Sequence, residues 1–431
     1  MNRYLLSLLF FSLSSTSFAS PLIQHWTTDS GIKVYFVNTP VLPMVDVRLI
    51  FDAGSAHEQK AGIAQLTNGL ISSGTKDMNA NQVAENFENV GAIFDYSSHR
   101  DMAVISLRVL LEQRLLHPAI DTLSQILAAP LFPAADLDRE IKLSLVGLKN
   151  AKQRASSVAR KKFFSTLYGD HPYAHSSSGT EQSLANISRA DILKHYQDFY
   201  VSQNLTLAIV GALDKNSAKK LIAKITQGLK RGKVAYALPK TKSTKQAKLI
   251  KIAHPSKQTH ILMGQLGVFR GDKDYYPLYL ANYIFGGGNM SSMLFDEVRE
   301  NRGLSYSVYS YFSPMRQQGP FIISLQTKNN QTDEALKVVK DLLTTFINQG
   351  PSEQQIKTAK QSIMGSFPLK INSNSKIVEY AAMIGFYGLP LDYLDKFNAS
   401  INDVTLTQLK QTLKRRLQPD QMIRIAVGGK E

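Results

Sequence analysis

Apolar positions along the chain change period in a succession that occurs twice. At 34–37 and 45–52 they come in short runs separated by Pro40 and Pro43, which reads as two strands joined by a loop. At 61–72 the spacing turns helical, with Ile63, Leu66, Leu70 and Ile71 on one face. A strand hairpin is predicted over 90–109, then helices near 111–128, 134–153, 156–168 and 189–200, and a closing strand at 205–210 before Gly211. The stretch 229–248 breaks the pattern. It is Lys-rich, contains Pro239 and has little apolar periodicity, so it reads as a linker between units at 21–228 and 249–431. The second unit repeats the order: a strand at 260–266, a helix at 275–285, a hairpin over 304–327, and helices near 332–349, 352–365, 376–387 and 406–417. A last strand at 422–427, followed by Gly428 and Gly429, echoes 205–211. Two such units of about 200 residues imply duplication and a pseudo-twofold pair.

Composition narrows the function classes. The chain has 431 residues and no cysteine, which removes disulfides, thiolate nucleophiles and Cys-ligated metal sites. The formal net charge of +16 favours anionic surfaces or acidic segments. No nucleic-acid motif accompanies it, and the short runs Arg160-Lys161-Lys162 and Lys414-Arg415-Arg416 read as solvated helix faces. Residues 1–20 have the form of a secretory signal: Arg3, an apolar core at 5–13 too short to span a bilayer, and a small-x-small site at Ser17-Phe18-Ala19. Export is expected, to the periplasm if the cell is Gram-negative, with no transmembrane segment thereafter.

The most informative stretch is 285–312. Gly286, Gly287 and Gly288 follow an apolar run and interrupt it. Asn289, Ser291 or Ser292 can cap a helix on which Met290, Met293, Leu294 and Val298 share a face, and Gly303 is placed as its stop. Beyond it, Leu304, Tyr306 and Val308 alternate with Ser305, Ser307 and Tyr309, which reads as a strand. A helix–Gly–strand reversal brings Arg299 and Tyr306 toward one point.

This stretch resembles the pitrilysin/insulinase family of zinc peptidases, which includes the mitochondrial processing peptidase and its two-subunit bacterial relatives. The family's helix ends in Leu-Arg-Glu-Lys-x-Gly-Leu-x-Tyr, whose Arg and Tyr match Arg299 and Tyr306, and its Gly-Gly-Gly-x-x-Ser matches Gly286 to Ser291. The resemblance covers the whole mature chain. It implies an α+β fold of two duplicated, α/β-sandwich-like domains, each a mixed sheet covered by helices. It also implies that Arg299 and Tyr306 donate hydrogen bonds to the substrate carbonyl, where charge develops in the transition state.

The same resemblance puts the family's His-x-x-Glu-His zinc helix at 61–72, and there the chemistry departs. Gln65 stands at the first His, Asn68 at the Glu, Gly69 at the second His, and Leu145 at the third ligand. An amide oxygen is a weak zinc ligand, glycine and leucine offer none, and Asn cannot act as a base. His57 and Glu58 read as loop residues; His171 and His175 are four apart but separated by Pro172, which argues against one helix face.

The resemblance thus implies the zinc-free subunit of a heterodimeric metallopeptidase. Its partner would be an exported chain with an intact His-x-x-Glu-His motif, which would hold the zinc; no cofactor is expected here. Peptides would bind in extended form as an added strand on a sheet edge. The alternative is a non-catalytic peptide-binding or scaffold protein of the same fold. Whether the chain forms a homodimer without its partner stays open. A metal-independent hydrolase lacks support, because no nucleophile elbow is present.

Overall fold

The computed structural model describes residues 21–242 and 247–429, so the stretch expected to act as an export signal lies outside the described residues. Strands β1 (Gln24–Thr27), β2 (Lys33–Asn38), β3 (Met44–Phe51), β4 (Ile93–Ser98), β5 (Ala103–Leu110) and β6 (Leu205–Gly211) form one sheet in the order β1-β2-β6-β3-β5-β4. Strands β7 (Lys248–Ile252), β8 (Gln258–Leu266), β9 (Val308–Phe312), β10 (Pro320–Lys328) and β11 (Ile423–Val427) form the other in the order β7-β11-β8-β10-β9. Apart from β1, the two orders are the same succession. In each, one pair is parallel, β2 with β6 and β7 with β11, and the remaining pairs are antiparallel.

Helices cover both sheets. The first half supplies α1 (Ile63–Gly69), α2 (Ala80–Glu88), α3 (Gln113–Ala128), α4 (Ala134–Lys152), α5 (Ala155–Tyr168), α6 (Glu181–Ala185), α7 (Arg189–Phe199) and α8 (Lys215–Thr226). The second supplies α9 (Tyr275–Asn282), α10 (Thr332–Gln349), α11 (Glu353–Ser366), α12 (Asn374–Tyr387), α13 (Tyr393–Asn402) and α14 (Leu406–Arg416). Capping boxes set the starts of α2, α7 and α11, where Asn79, Ser188 and Ser352 pair with Gln82, Asp191 and Gln355.

Both faces of the central strands of each sheet are buried, and this follows from an exchange of helices. On β2, Val34 and Phe36 join the core under the first half's own helices, while Tyr35 and Val37 face a second core. Strand β6 divides the same way, with Leu207 and Ile209 on one side and Ala208 and Val210 on the other. The second face is covered by α12, which comes from the other half and lies across β2, β3 and β6. Reciprocally, α5 leaves the first half and lies on β8 and β11, burying Phe163, Phe164 and Leu167 beside Ile423, Ile425 and Val427.

Glycine permits both approaches. A Cβ on Gly385 of α12 would lie 2.3 Å from Tyr35 Cε2, and one on Gly264 of β8 would lie 2.9 Å from Phe163 Cζ. Each helix therefore sits closer to its sheet than an alanine would allow.

The structure differs from several expectations. Helix α1 is shorter than 61–72, ending at Gly69 and continuing as turns. Helices α2, α8 and α13, and strands β1 and β7, lie outside the elements that periodicity predicts. The run at 414–416 is not simply a solvated face: Arg416 reaches buried Asp272 at 2.6 Å and Asp274 at 3.3 Å, and Arg415 reaches Asp274 at 2.8 Å.

Candidate functional site

The glycine-rich stretch turns out to be wound. After α9 the chain widens into a π-helical turn, Tyr283–Gly287, so Gly286 and Gly287 continue a helix rather than end it. Their small size serves packing. A Cβ on Gly286 would fall 2.4 Å from both Leu294 Cδ1 and Ser310 Oγ, and one on Gly287 would fall 2.5 Å from Asn282 Nδ2. A Cβ on Gly288 would meet Tyr283 O at 2.7 Å.

A second π-helical turn, Phe295–Asn301, carries Arg299. Leu294 and Val298 are fully buried and anchor it, whereas Met290 is 75% exposed and takes no part in that face. Gly303 stops the helix at φ 59°, with Gly303 N donating to Arg299 O at 3.0 Å and Leu304 N to Val298 O at 2.9 Å. Tyr306 does not lie on a strand, because β9 begins only at Val308; the Ser/apolar alternation over 304–307 is a turn. The reversal still brings the two side chains together. The Arg299 guanidinium stacks on the Tyr306 ring at 4.4 Å and on Phe295 at 4.7 Å. Its Nε lies 3.4 Å from Glu300. Tyr306 is 76% exposed, so its hydroxyl faces solvent.

The positions that would hold zinc do not suit a metal. Asn68 is completely buried, and its amide is committed: Nδ2 donates to Ser97 O at 2.8 Å and Val104 O at 3.2 Å, and Oδ1 accepts from Tyr200 Oη at 3.0 Å. Two carbonyl oxygens aimed at this position call for a donor, and a carboxylate there would meet only their negative ends. Gln65 is exposed. A Cβ on Gly69 would rest 3.7 Å from the Tyr96 ring, and Leu145 packs against the core. Among the described residues, no group of three or more His, Cys, Asp or Glu is placed to hold a metal ion.

The other candidates are structural. Glu58 lies in a loop, as expected, but its side chain is buried: it accepts from Gly62 N and Ala64 N at 3.0 Å each at the start of α1 and pairs with His175 Nε2 at 2.9 Å. Burial pushes its carboxyl above the usual range, against the lowering effect of His175 and the two amides. His57 is buried too, and binds Asp52 at 3.0 Å; Asp52 in turn meets Arg316 of the second half at 3.1 Å. His171 faces Pro239 O at 2.9 Å, so His171 and His175 serve different partners.

Periodicity gave no hint of Asp101, a buried carboxylate at the β4–β5 turn. It accepts from Tyr173 Oη, from Tyr387 Oη at 3.0 Å and from Arg316 N at 2.8 Å, tying both halves together. Burial raises both phenols well above the normal tyrosine range, so they remain protonated donors. A cleft of about 910 Å³ opens beside α1. Gln65, Arg100, α4, α5 and residues 174–182 form its walls.

Comparisons with known proteins give the family. The model of the insulinase family, peptidase family M16, matches residues 33–181, and that of the peptidase M16 inactive domain matches residues 186–363. A crystal structure of a peptidase M16 inactive domain from Pseudomonas fluorescens is 36% identical, covers 95% of this chain and 98% of its own, and superposes with a TM-score of 0.92. The "Non-peptidase homolog YmxG" of Helicobacter pylori is 24% identical over 100% of this chain and 99% of its own length. The "Uncharacterized zinc protease YmxG" of Bacillus subtilis is 25% identical over 83% of this chain and 86% of its own. The chain belongs to the peptidase M16, or insulinase, family, and its likeness to an inactive domain and to a non-peptidase homolog fits a non-catalytic role within it.

Proposed function

We propose that this chain is the zinc-free subunit of a two-chain peptidase, supplying the side chains that grip the substrate carbonyl. The observation that carries this reading is the Arg299–Tyr306 stack at 4.4 Å on an exposed wall, in a chain whose own Asn68 is locked into structural hydrogen bonds. Stacking on two rings fixes the guanidinium plane and leaves N–H donors at its edge for a developing oxyanion. The partner would be an exported relative with an intact His-x-x-Glu-His motif, and its zinc would polarise the scissile bond. The substrate would lie in extended form. Strand β4, at the open edge of its sheet with Ile93 and Tyr96 exposed, offers unpaired backbone groups for it.

The test is co-expression with candidate exported chains that carry the motif, followed by peptide cleavage by each chain alone and by both together. Cleavage should need both. Arg299→Ala should lower kcat/KM by about 100-fold or more, the scale of losing one oxyanion donor, and Tyr306→Phe by a smaller factor. Cleavage by the pair that survives both substitutions would leave the alternative standing, a non-catalytic peptide-binding or scaffold protein. The name of the H. pylori relative, a non-peptidase homolog, favours that second reading.

A further inference from the structure

The cleft beside α1 has a charge pattern that the family resemblance does not explain. Arg100, Lys152, Arg154, Arg160 and Lys161 line it, against one carboxylate, Glu181. That carboxylate is already engaged by Lys152 at 2.7 Å. Among the described residues no ion pair neutralises Arg100, Arg154, Arg160 or Lys161. Arg100 instead stacks on Phe164 at 3.9 Å and donates to Tyr173 O at 3.0 Å, while Arg160 contacts the Tyr311 hydroxyl at 3.4 Å. Four cations without a carboxylate in ion-pair contact, around a concave, partly low-dielectric space, focus a positive potential into it.

The rest of the lining mixes apolar side chains with small polar ones, Ser144, Ser157, Ser176, Ser178 and Thr180 among them. Leu143 is largely exposed on the cleft side of α4, with Leu148, Val158 and Phe164 behind it. Gln65, where the family resemblance expects the first zinc histidine, is among the cleft's lining residues. At about 910 Å³ the space is at the large end for small-molecule sites and suits a short stretch of chain.

We propose that this cleft selects acidic peptides: carboxylate side chains or a C-terminal carboxylate on Arg100, Arg154, Arg160 and Lys161, and an apolar side chain against Leu143, Val158 and Phe164. The proposal rests on reading the chain as a peptide-binding wall, but requires neither the partner nor Arg299. The shortage of stacking rings favours peptide over nucleic acid: the cleft offers a single aromatic ring, Phe164, already covered by Arg100.

The experiment is fluorescence anisotropy on the isolated mature chain. Labelled ten-residue peptides of matched apolar content would be acidic, neutral or basic, and a single-stranded oligonucleotide of equal charge would serve as competitor. The acidic peptide should bind about 10-fold or more tightly than the neutral one, with affinity falling as salt rises. The exposed pair Arg154→Gln/Lys161→Gln should remove about 10-fold of that affinity, while Lys219→Gln/Lys220→Gln on α8, away from the cleft, should change it less than about 2-fold. Equal binding of acidic and basic peptides overturns the proposal. So does an equal loss with the α8 pair, which would assign the preference to net charge, or an oligonucleotide that outcompetes the acidic peptide. The two readings fail separately. Acidic selectivity combined with indifference of cleavage to Arg299 and Tyr306 would sink the subunit role alone. Dependence on that pair with no charge preference would sink the cleft assignment alone.

Discussion

At the scale of single residues, Asn68 is a structural strut at the position where the family resemblance expects a catalytic Glu. Its surroundings suit an amide, with two carbonyls and one phenol satisfied by one side chain. Asn68→Leu would leave those three buried polar groups unpaired and should lower unfolding stability by about 3 kcal/mol or more. Gln65→His, at an exposed position, should stay within about 0.5 kcal/mol. Urea titration of both variants checks the contrast, and equal midpoints would contradict the strut role. His195 gives a pH dependence. It is buried against Phe199 and Tyr200 with only Ala53 O in reach, and desolvation lowers its pKa to about 4. In the unfolded chain the ring titrates near 6.5. The unfolded state therefore binds a proton that the folded state refuses, so this contribution is intact above about pH 6.5 and is lost as pH falls toward 4. The loss should reach about 2 kcal/mol by pH 5. Melting temperature against pH should flatten over that window in His195→Gln, and an unchanged slope would contradict it. Neither Asn68's partners nor Asp101's were legible in the amino-acid order, because a lone polar residue has no period.

At the scale of elements, much was legible and the reasons are local. The boundaries of α10, α11, α12 and α14 agree with periodicity and capping to within a residue or two. Failures came where period and packing part company. The Ser/apolar alternation around Tyr306 mimics a strand but belongs to a turn, because Tyr306 points into solvent. The glycines at 286 and 287 looked like a break, yet a widened helical turn accommodates them where Leu294 and Ser310 press close. Two helical glycines test the packing account directly. Gly365 on α11 has open space where a Cβ would go, so Gly365→Ala should stabilise by about 0.5–1 kcal/mol through helix propensity. Gly385 on α12 faces Tyr35 at 2.3 Å and Thr206 Cγ2 at 2.7 Å, so Gly385→Ala should destabilise by about 1–3 kcal/mol despite the same propensity gain. Opposite shifts in urea midpoint are expected, and a shift of one sign in both would remove the case for close approach.

At the scale of the whole molecule, the reciprocal loan of α5 and α12 decides what can fold alone. Periodicity could place both helices but not their destinations, since an apolar face does not say which sheet will cover it. Helix α12 is apolar nearly all round, with Ile377, Val378, Ala381, Ala382, Ile384 and Phe386 buried, as an element held between two layers must be. Without α5, the second sheet would expose Ile423, Ile425 and Val427, and α5 itself would expose Phe163, Phe164, Leu167 and Tyr168. At about 1.5–3 kcal/mol for each large side chain, that burial matches the net stability of a typical domain, about 5–15 kcal/mol. Residues 21–242 and 247–431 expressed separately should therefore give soluble aggregate or collapsed chain without a cooperative melt, whereas co-expression should yield a one-to-one complex that unfolds in a single transition. The Asp101 cluster and the Asp52–Arg316 pair at 3.1 Å would re-form in that complex. Asp101→Leu, which strands Tyr173 and Tyr387, should weaken the reassembled pair more than it slows folding of the intact chain, because in the intact chain covalent continuity holds the halves at high effective concentration. A cooperative melt from either half by itself would show that the exchanged helices decorate finished domains instead of completing unfinished ones.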